Sequence, residues 1–288
     1  MKVLVLGGDG MLGHQLVESL GIRHEVIGTF HKKADVYRDI TPYLPRKSIY
    51  GVDARDFLSV AAVIATIKPD AVINAIGIVK QRAASKDAIV SLEINSLLPH
   101  HLAVACGKSG ARLVHLSTDC VFSGSKGMYG EADFADADDL YGRTKFLGEV
   151  SGEGSITLRT SIIGLELSRK KSLIEWFLAQ HGTIEGFRKA IYTGFTTLEM
   201  ARIIESVLVD HPDKSGVYHL SSDPIDKYSL LCKLRDRLGR AVEIIPDDGF
   251  SCDRSMLSTR FRSEFCYTPP SWDVMIEELA TQIEARYS

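Results

Sequence analysis

The first thirteen residues restrict the fold more than any other stretch. Lys2-Val3-Leu4-Val5-Leu6 is an unbroken apolar run, apolar on both faces as a buried parallel strand must be. It ends in Gly7-Gly8-Asp9-Gly10-Met11-Leu12-Gly13, and from Met11 to Leu20 the apolar residues Leu12, Leu16, Val17 and Leu20 fall on one helical face. Strand, glycine turn and helix in that order open a dinucleotide-binding unit. Gly7 suits the tight turn, Gly10 the approach of a pyrophosphate to the backbone, and Gly13 the packing of helix on strand. The spacing is G-x-x-G-x-x-G rather than G-x-G-x-x-G. Gly7, Gly10, Met11, Leu12 and Gly13 are the predicted cofactor contacts here.

His24 to Thr29 reads as the second strand. An acid often ends this strand, where it binds the ribose 2′-hydroxyl of NAD. Here His31, Lys32 and Lys33 follow instead, and they would attract a 2′-phosphate. The sequence therefore favours NADP(H) over NAD(H). Pro42 and Pro45 mark a loop, and Ser48 to Val52 a short strand with Asp53-Ala54 as an edge for the adenine. Phe57 to Ile67 is an amphipathic helix. Ala71 to Asn74 is another buried strand, and the small residues Ala75 and Gly77 after it would let a cofactor lie against the backbone. Lys80 and Arg82 follow. Asp87 to Cys106 reads as a long helix interrupted by Pro99. It carries Asn95 either as a satisfied core amide or as a water-mediated bridge to the site.

Arg112 to Leu116 is a strand that delivers Ser117, Thr118 and Asp119, with Val121-Phe122 continuing it. Ser123 to Asp139, rich in Gly, Asp and Ser, reads as a mobile loop or lid. Tyr141 and Lys145 then stand four apart on a helix, so they share one face. An ammonium beside a phenol favours the phenolate, and such a tyrosine can exchange a proton with a substrate oxygen. Ile156 to Thr160 is the next strand. The alternation predicts an α/β fold with a Rossmann-type doubly wound parallel sheet over residues 1–165. A smaller substrate-binding domain follows over 166–288, with 190–222 a candidate to return to the first. In that second part Gly186 to Ala190 reads as a basic turn and Val242 to Ile245 as a strand.

Composition narrows the function classes. A net charge of −3 on 288 residues argues against a bulk binder of nucleic acid or of anionic membranes. The five cysteines are unclustered and show no metal-ligand spacing, so reduced thiols in a cytoplasmic protein are expected. No secretory signal and no apolar run near ~20 residues is evident.

Taken together, the chain resembles the extended short-chain dehydrogenases/reductases, and within them the dTDP-4-dehydrorhamnose reductase (RmlD-like) branch. The resemblance rests on Gly7-x-x-Gly10-x-x-Gly13, Asn74-Ala75, Asn95, Ser117-Thr118-Asp119 with Val121-Phe122, and Tyr141-Gly142-x-Thr144-Lys145. It continues through Leu158-Arg159-Thr160-Ser161, Gly216 to Leu220 and Arg254-Ser255-x-Leu257. Two departures lie on the expected substrate side. Ala137-Asp138-Asp139 replaces the usual proline before the tyrosine segment, and Cys120 stands where an aromatic is common.

The resemblance implies reduction of a nucleotide-linked 4-keto-6-deoxyhexose in surface-polysaccharide biosynthesis. In it Tyr141 is the proton donor, Lys145 holds the nicotinamide ribose and keeps the Tyr141 pKa low, and Thr118 donates to the same oxygen. Ser117, Asn74 and Asn95 belong to the implied cofactor set. Val121, Phe122, Arg188, Lys189 and Arg254 are the candidates for the sugar nucleotide. Family members are often homodimers. Three rivals are weighed against this. A 4,6-dehydratase needs a glutamate after Thr118-Asp119, where Cys120 stands. A 4-epimerase uses the same Tyr, Lys and Thr but retains NAD, which the basic residues after Thr29 disfavour. A non-catalytic regulatory subunit like that of methionine adenosyltransferase would not need Thr118, Tyr141 and Lys145 intact.

Overall fold

The computed structural model describes residues 1–44, 47–78, 87–168 and 170–287, apart from the side chains of 39–43. Pro45, Lys80 and Arg82 lie outside the described residues. Along the chain come β1 (Lys2–Leu6), α1 (Met11–Leu20), β2 (Glu25–Phe30), β3 (Lys47–Tyr50), α2 (Phe57–Ile67), β4 (Ala71–Asn74), α3 (Ala88–Ser91) and α4 (Leu98–Ser109). Next are β5 (Arg112–Thr118), α5 (Leu140–Leu147), β6 (Ser155–Thr160), β7 (Ile162–Ile163), α6 (Leu173–Leu178), β8 (Gly182–Tyr192), β9 (Phe195–Thr196), α7 (Thr197–Val209) and β10 (Gly216–His219). The chain closes with β11 (Ile225–Asp226), α8 (Lys227–Leu238), β12 (Val242–Asp253), α9 (Thr259–Glu264) and α10 (Trp272–Tyr287).

Seven strands form one parallel sheet in the order β10-β6-β5-β4-β1-β2-β3. The order reverses between β1 and β4. In a doubly wound sheet, the crevice beyond the strand ends at that point is where ligands bind. Alternate side chains of β1 serve opposite faces: Val3 and Val5 pack with Leu12, Leu16 and Val207 on one, Leu4 and Leu6 with Val60, Ile64 and Leu102 on the other. This explains why the run is apolar throughout.

A second sheet, β11-β8-β12, carries α8, and α10 packs on α8. Ile184 and Ile225 of this sheet, Leu230 of α8 and Met275 of α10 belong to the same apolar cluster as Val3 and Val5. β10 lies at the edge of the large sheet, and α7 packs on α1.

Four local expectations are corrected. Pro99 does not interrupt its helix. A π-helical turn over Leu92–Leu97 joins α3 to α4, and the helix runs from Ala88 to Ser109. Proline has no N–H for the carbonyl four residues back, and the wider turn absorbs that loss. This helix of 22 residues, with mean hydropathy 1.2, is long and apolar enough to cross a membrane, yet half of it is buried inside the protein.

Val121-Phe122 does not continue β5, because a 3-10 turn spans Asp119–Val121. Gly186 to Ala190 is the middle of β8, with Ile184, Gly186 and Ala190 inward and Glu185, Arg188 and Lys189 exposed. The segment Ser123–Asp139 is tied down, not free. Tyr129 bridges to Met256, its N–H donates to the Ser255 carbonyl at 2.9 Å, and its carbonyl accepts from Leu257 N–H at 2.8 Å. Ser123 Oγ donates to Asp136 at 2.6 Å.

Candidate active site

The glycine turn lies where β1 meets α1. Gly7 has φ +83°, and a Cβ on Gly13 would stand 2.0 Å from the Gly7 carbonyl oxygen, so only glycine lets the helix sit this low on the strand. α1 begins without any side-chain cap. Its first turn, Met11 to Gly13, therefore aims backbone N–H groups outward from the switch point. The Leu12 side chain is itself core, so its offering is its N–H alone. Gly8 N–H reaches the Thr29 carbonyl at 2.9 Å, which brings the end of β2 beside the turn. His31, Lys32 and Lys33 are all exposed there. Asp53 is exposed and accepts from Arg55 N–H at 3.0 Å, and Ala54 is buried.

At the end of β4, Asn74 is fully buried. Its Nδ2 bonds His115 Nδ1 at 3.1 Å and its Oδ1 accepts from Ile76 N–H at 3.2 Å. Ala75 and Gly77 follow, half-buried. Asn95, in the π turn, is a satisfied core amide that clamps three elements. It accepts from Ile78 N–H at 2.9 Å and donates to the Ile78 carbonyl at 3.1 Å and to Thr144 Oγ1 at 3.2 Å.

β5 ends at Thr118, whose Oγ1 accepts from Cys120 N–H at 3.1 Å and caps the following turn. Asp139 caps α5 by accepting from Gly142 N–H at 2.8 Å. A Cβ on Gly142 would lie 2.1 Å from the Cys120 carbonyl oxygen, so this glycine lets α5 press on the Thr118 turn. The outcome is a side-chain hydrogen bond between Tyr141 and Thr118. One turn on, Lys145 is buried with Nζ donating to the Leu116 carbonyl at 2.6 Å.

The electrostatics differ from the expectation that Lys145 depresses the Tyr141 pKa. Burial raises the Tyr141 pKa, the Cys120, Asp119 and Asp139 side chains add to this, and only the Thr118 bond opposes it. Burial lowers Lys145 to about 8, against the pull of Glu149.

Other expected contacts sit elsewhere. Val121 and Phe122 are 0% exposed and pack with Tyr129 and Met256, so they offer no surface to a substrate. Ser117 faces away from Thr118, as strand alternation requires, and its hydroxyl donates to Glu149 at 2.7 Å, not into the cofactor crevice. Arg188 is held bidentately by Asp248 on the small sheet, and Lys189 pairs in register with Ser251. Arg254 stands at the site: its guanidinium bonds the Phe122 carbonyl at 2.8 Å and Cys120 Sγ at 3.7 Å.

Two features went unread in the sequence. Tyr192, at the end of β8, has a buried hydroxyl with no partner among the described residues and lies within electrostatic reach of Asp119. Glu149 and Arg159 form a buried ion pair behind Lys145. Neither has a local signal, since each depends on a contact between distant elements.

A family model described as the RmlD substrate binding domain matches residues 1–283. A dTDP-4-dehydrorhamnose reductase of Burkholderia thailandensis is 31% identical over 166 residues, covering 56% of this chain and 50% of that protein. The match thus spans about half the length of that relative. Another, of Aggregatibacter actinomycetemcomitans, is 26% identical over 235 residues, covering 77% of this chain and 74% of that protein. A crystal structure of dTDP-4-dehydrorhamnose reductase from Bacillus anthracis in complex with NADP superposes with a TM-score of 0.79 at 20% identity, covering 98% of this chain and 99% of that one. At that identity the likeness is one of fold.

Proposed function

The chain belongs to the RmlD substrate-binding-domain family, and from that premise we propose that it reduces the 4-keto group of a nucleotide-linked 4-keto-6-deoxyhexose with NADPH. The relatives named dTDP-4-dehydrorhamnose reductase support the substrate class. The observation that carries the reading is the hydrogen bond between Tyr141 and Thr118, with Lys145 one turn further along the same helix.

The residues present fit a dinucleotide phosphate. The uncapped first turn of α1 offers its N–H groups to the pyrophosphate. The exposed His31, Lys32 and Lys33, with no acid between them, suit a 2′-phosphate. When bound, NADPH supplies the hydride that goes to the carbonyl carbon.

The chain's own part is to hold the ketone and move one proton. The Tyr141 and Thr118 hydroxyls lie together, and Thr118, whose hydroxyl donates to Asp119 at 3.1 Å, turns that hydrogen to the carbonyl oxygen to act as the second donor. A donor aimed at the oxygen as it gains charge is typically worth ~3 kcal/mol of barrier. Tyr141 then gives its phenolic proton to that oxygen. A raised pKa suits this direction of reaction, because it keeps the phenol protonated at neutral pH. A nascent alkoxide is more basic than a phenolate, so the transfer still runs downhill. Lys145, buried one turn further along with its Nζ at the Leu116 carbonyl, is placed to hold the nicotinamide ribose.

The test is direct. Purified protein, NADPH and a panel of dTDP- and UDP-linked 4-keto-6-deoxy sugars should show substrate-dependent loss of NADPH absorbance. Tyr141→Phe should lower kcat by about 10²–10⁴-fold and leave NADPH affinity within a factor of a few. Tight NADPH binding with no oxidation by any sugar would overturn the reading in favour of a regulatory protein.

A further inference from the structure

Glu149 lies two residues beyond the end of α5, four from Lys145, which is itself four from Tyr141. Its side chain and that of Arg159 are each only 6% exposed. Arg159 Nε and Nη2 donate to the two Glu149 oxygens, both at 2.7 Å. Ser117 Oγ donates to Glu149 Oε1, also at 2.7 Å. The remaining Arg159 nitrogen, Nη1, meets His219 Nε2 at 3.1 Å. Since arginine can only donate, Nε2 accepts, and His219 Nδ1–H donates to the Tyr129 carbonyl at 3.2 Å. The guanidinium lies 5.5 Å from the Phe122 ring centroid and 5.8 Å from that of Phe146. Strands β5 and β6 thus converge on one carboxylate, and β10 holds the guanidinium that faces it.

Such a pair is costly to bury and is weak support for stability. A neutral apolar pair could fill the same space, so its presence calls for another role. Lys145 and Glu149 meet adjacent residues of β5: Lys145 Nζ bonds the Leu116 carbonyl at 2.6 Å, and Ser117 Oγ bonds Glu149 at 2.7 Å. We propose that Glu149 is the positioning residue that holds the Lys145 ammonium charged inside the site, and that Arg159, Ser117 and His219 fix the carboxylate where it can do so. This rests on the reductase reading for the role of Lys145, but not for its charge.

The groups facing Lys145 are Tyr141 and Glu149 on its own segment and His115 on β5, with Arg159 on β6 and His219 on β10 behind Glu149. Burial and the nearby Lys145 hold His115 neutral, so it adds no positive charge. Burial likewise keeps the His219 pKa low. Glu149 is the charge that favours the ammonium, beside the Leu116 carbonyl that accepts from it.

Glu149→Gln removes the charge and keeps the shape. The Lys145 pKa, about 8 in the parent, should fall by about one to two units. Lysine-selective carbon-13 NMR of the cofactor-free protein reads this directly, without turnover. The alkaline limb of kcat/KM should move to lower pH by the same amount, because Lys145 loses its proton earlier. Ser117→Ala removes one bond to Glu149 without changing charge, and its limb should stay within about half a unit of the parent. If the uncompensated Arg159 prevents Glu149→Gln from folding, the double variant Glu149→Leu/Arg159→Met removes both charges, and the same shift is expected. An unmoved NMR titration in a folded variant lacking Glu149 overturns the proposal. A shifted titration in a protein that reduces no ketone would leave it standing and sink the reductase reading.

Discussion

Single side chains can decide a cofactor. Lys32 and Lys33 follow β2 where an acid often stands, and both are exposed beside the glycine turn. Replacing both with Ala should weaken NADPH by about tenfold, roughly 1.4 kcal/mol, and leave NADH nearly unchanged. The difference should shrink as salt is raised, since these charges are solvated. Equal losses for both cofactors in a binding titration would remove the 2′-phosphate argument. At this scale the sequence was readable where spacing alone makes neighbours. Tyr141 and Lys145 sit one turn apart because helices put i and i+4 together. Glu149 and Arg159 were not readable, because ten residues and a change of element separate them. Val121 and Phe122 misled for a related reason. Apolar residues after a strand line a pocket or fill a core equally well, and only packing tells which.

Elements set the distances between those side chains. α5 is short, with its first turn capped by Asp139 and its face pressed on the Thr118 turn through Gly142. Gly142→Ala places a methyl 2.1 Å from the Cys120 carbonyl oxygen, so helix or turn must move. We expect a loss of about 1–3 kcal/mol in stability, and a larger relative loss of kcat than of substrate affinity, because the Tyr141–Thr118 contact lies across that seam. Denaturant melts and steady-state kinetics on one preparation would check both. The βαβ rhythm through residue 165 was plain from periodicity. The π turn ahead of Pro99 was not, since a proline in a helical pattern ordinarily ends or kinks the helix. Gly186 suggests a turn because the outward residues around it are charged and two of the inward ones are small, and only pairing with β12 makes it the middle of β8.

Across the whole molecule, one apolar cluster runs from Val3 and Val5 through Ile184 and Leu230 to Met275. The two sheets therefore share a core and do not merely abut. Calorimetry should show one cooperative unfolding transition for the cofactor-free protein, and two separated transitions would contradict a shared core. The tie between Tyr129 and residues 255–257 has a consequence in time. The rim of the site is made early in translation, but the strands and side chains that secure it leave the ribosome more than a hundred residues later. Arg254 reaches back to Phe122 in the same way. A nascent chain can assemble its first strands while still attached, yet the Tyr129 rim beside them has no partner until residues 254–257 have been added.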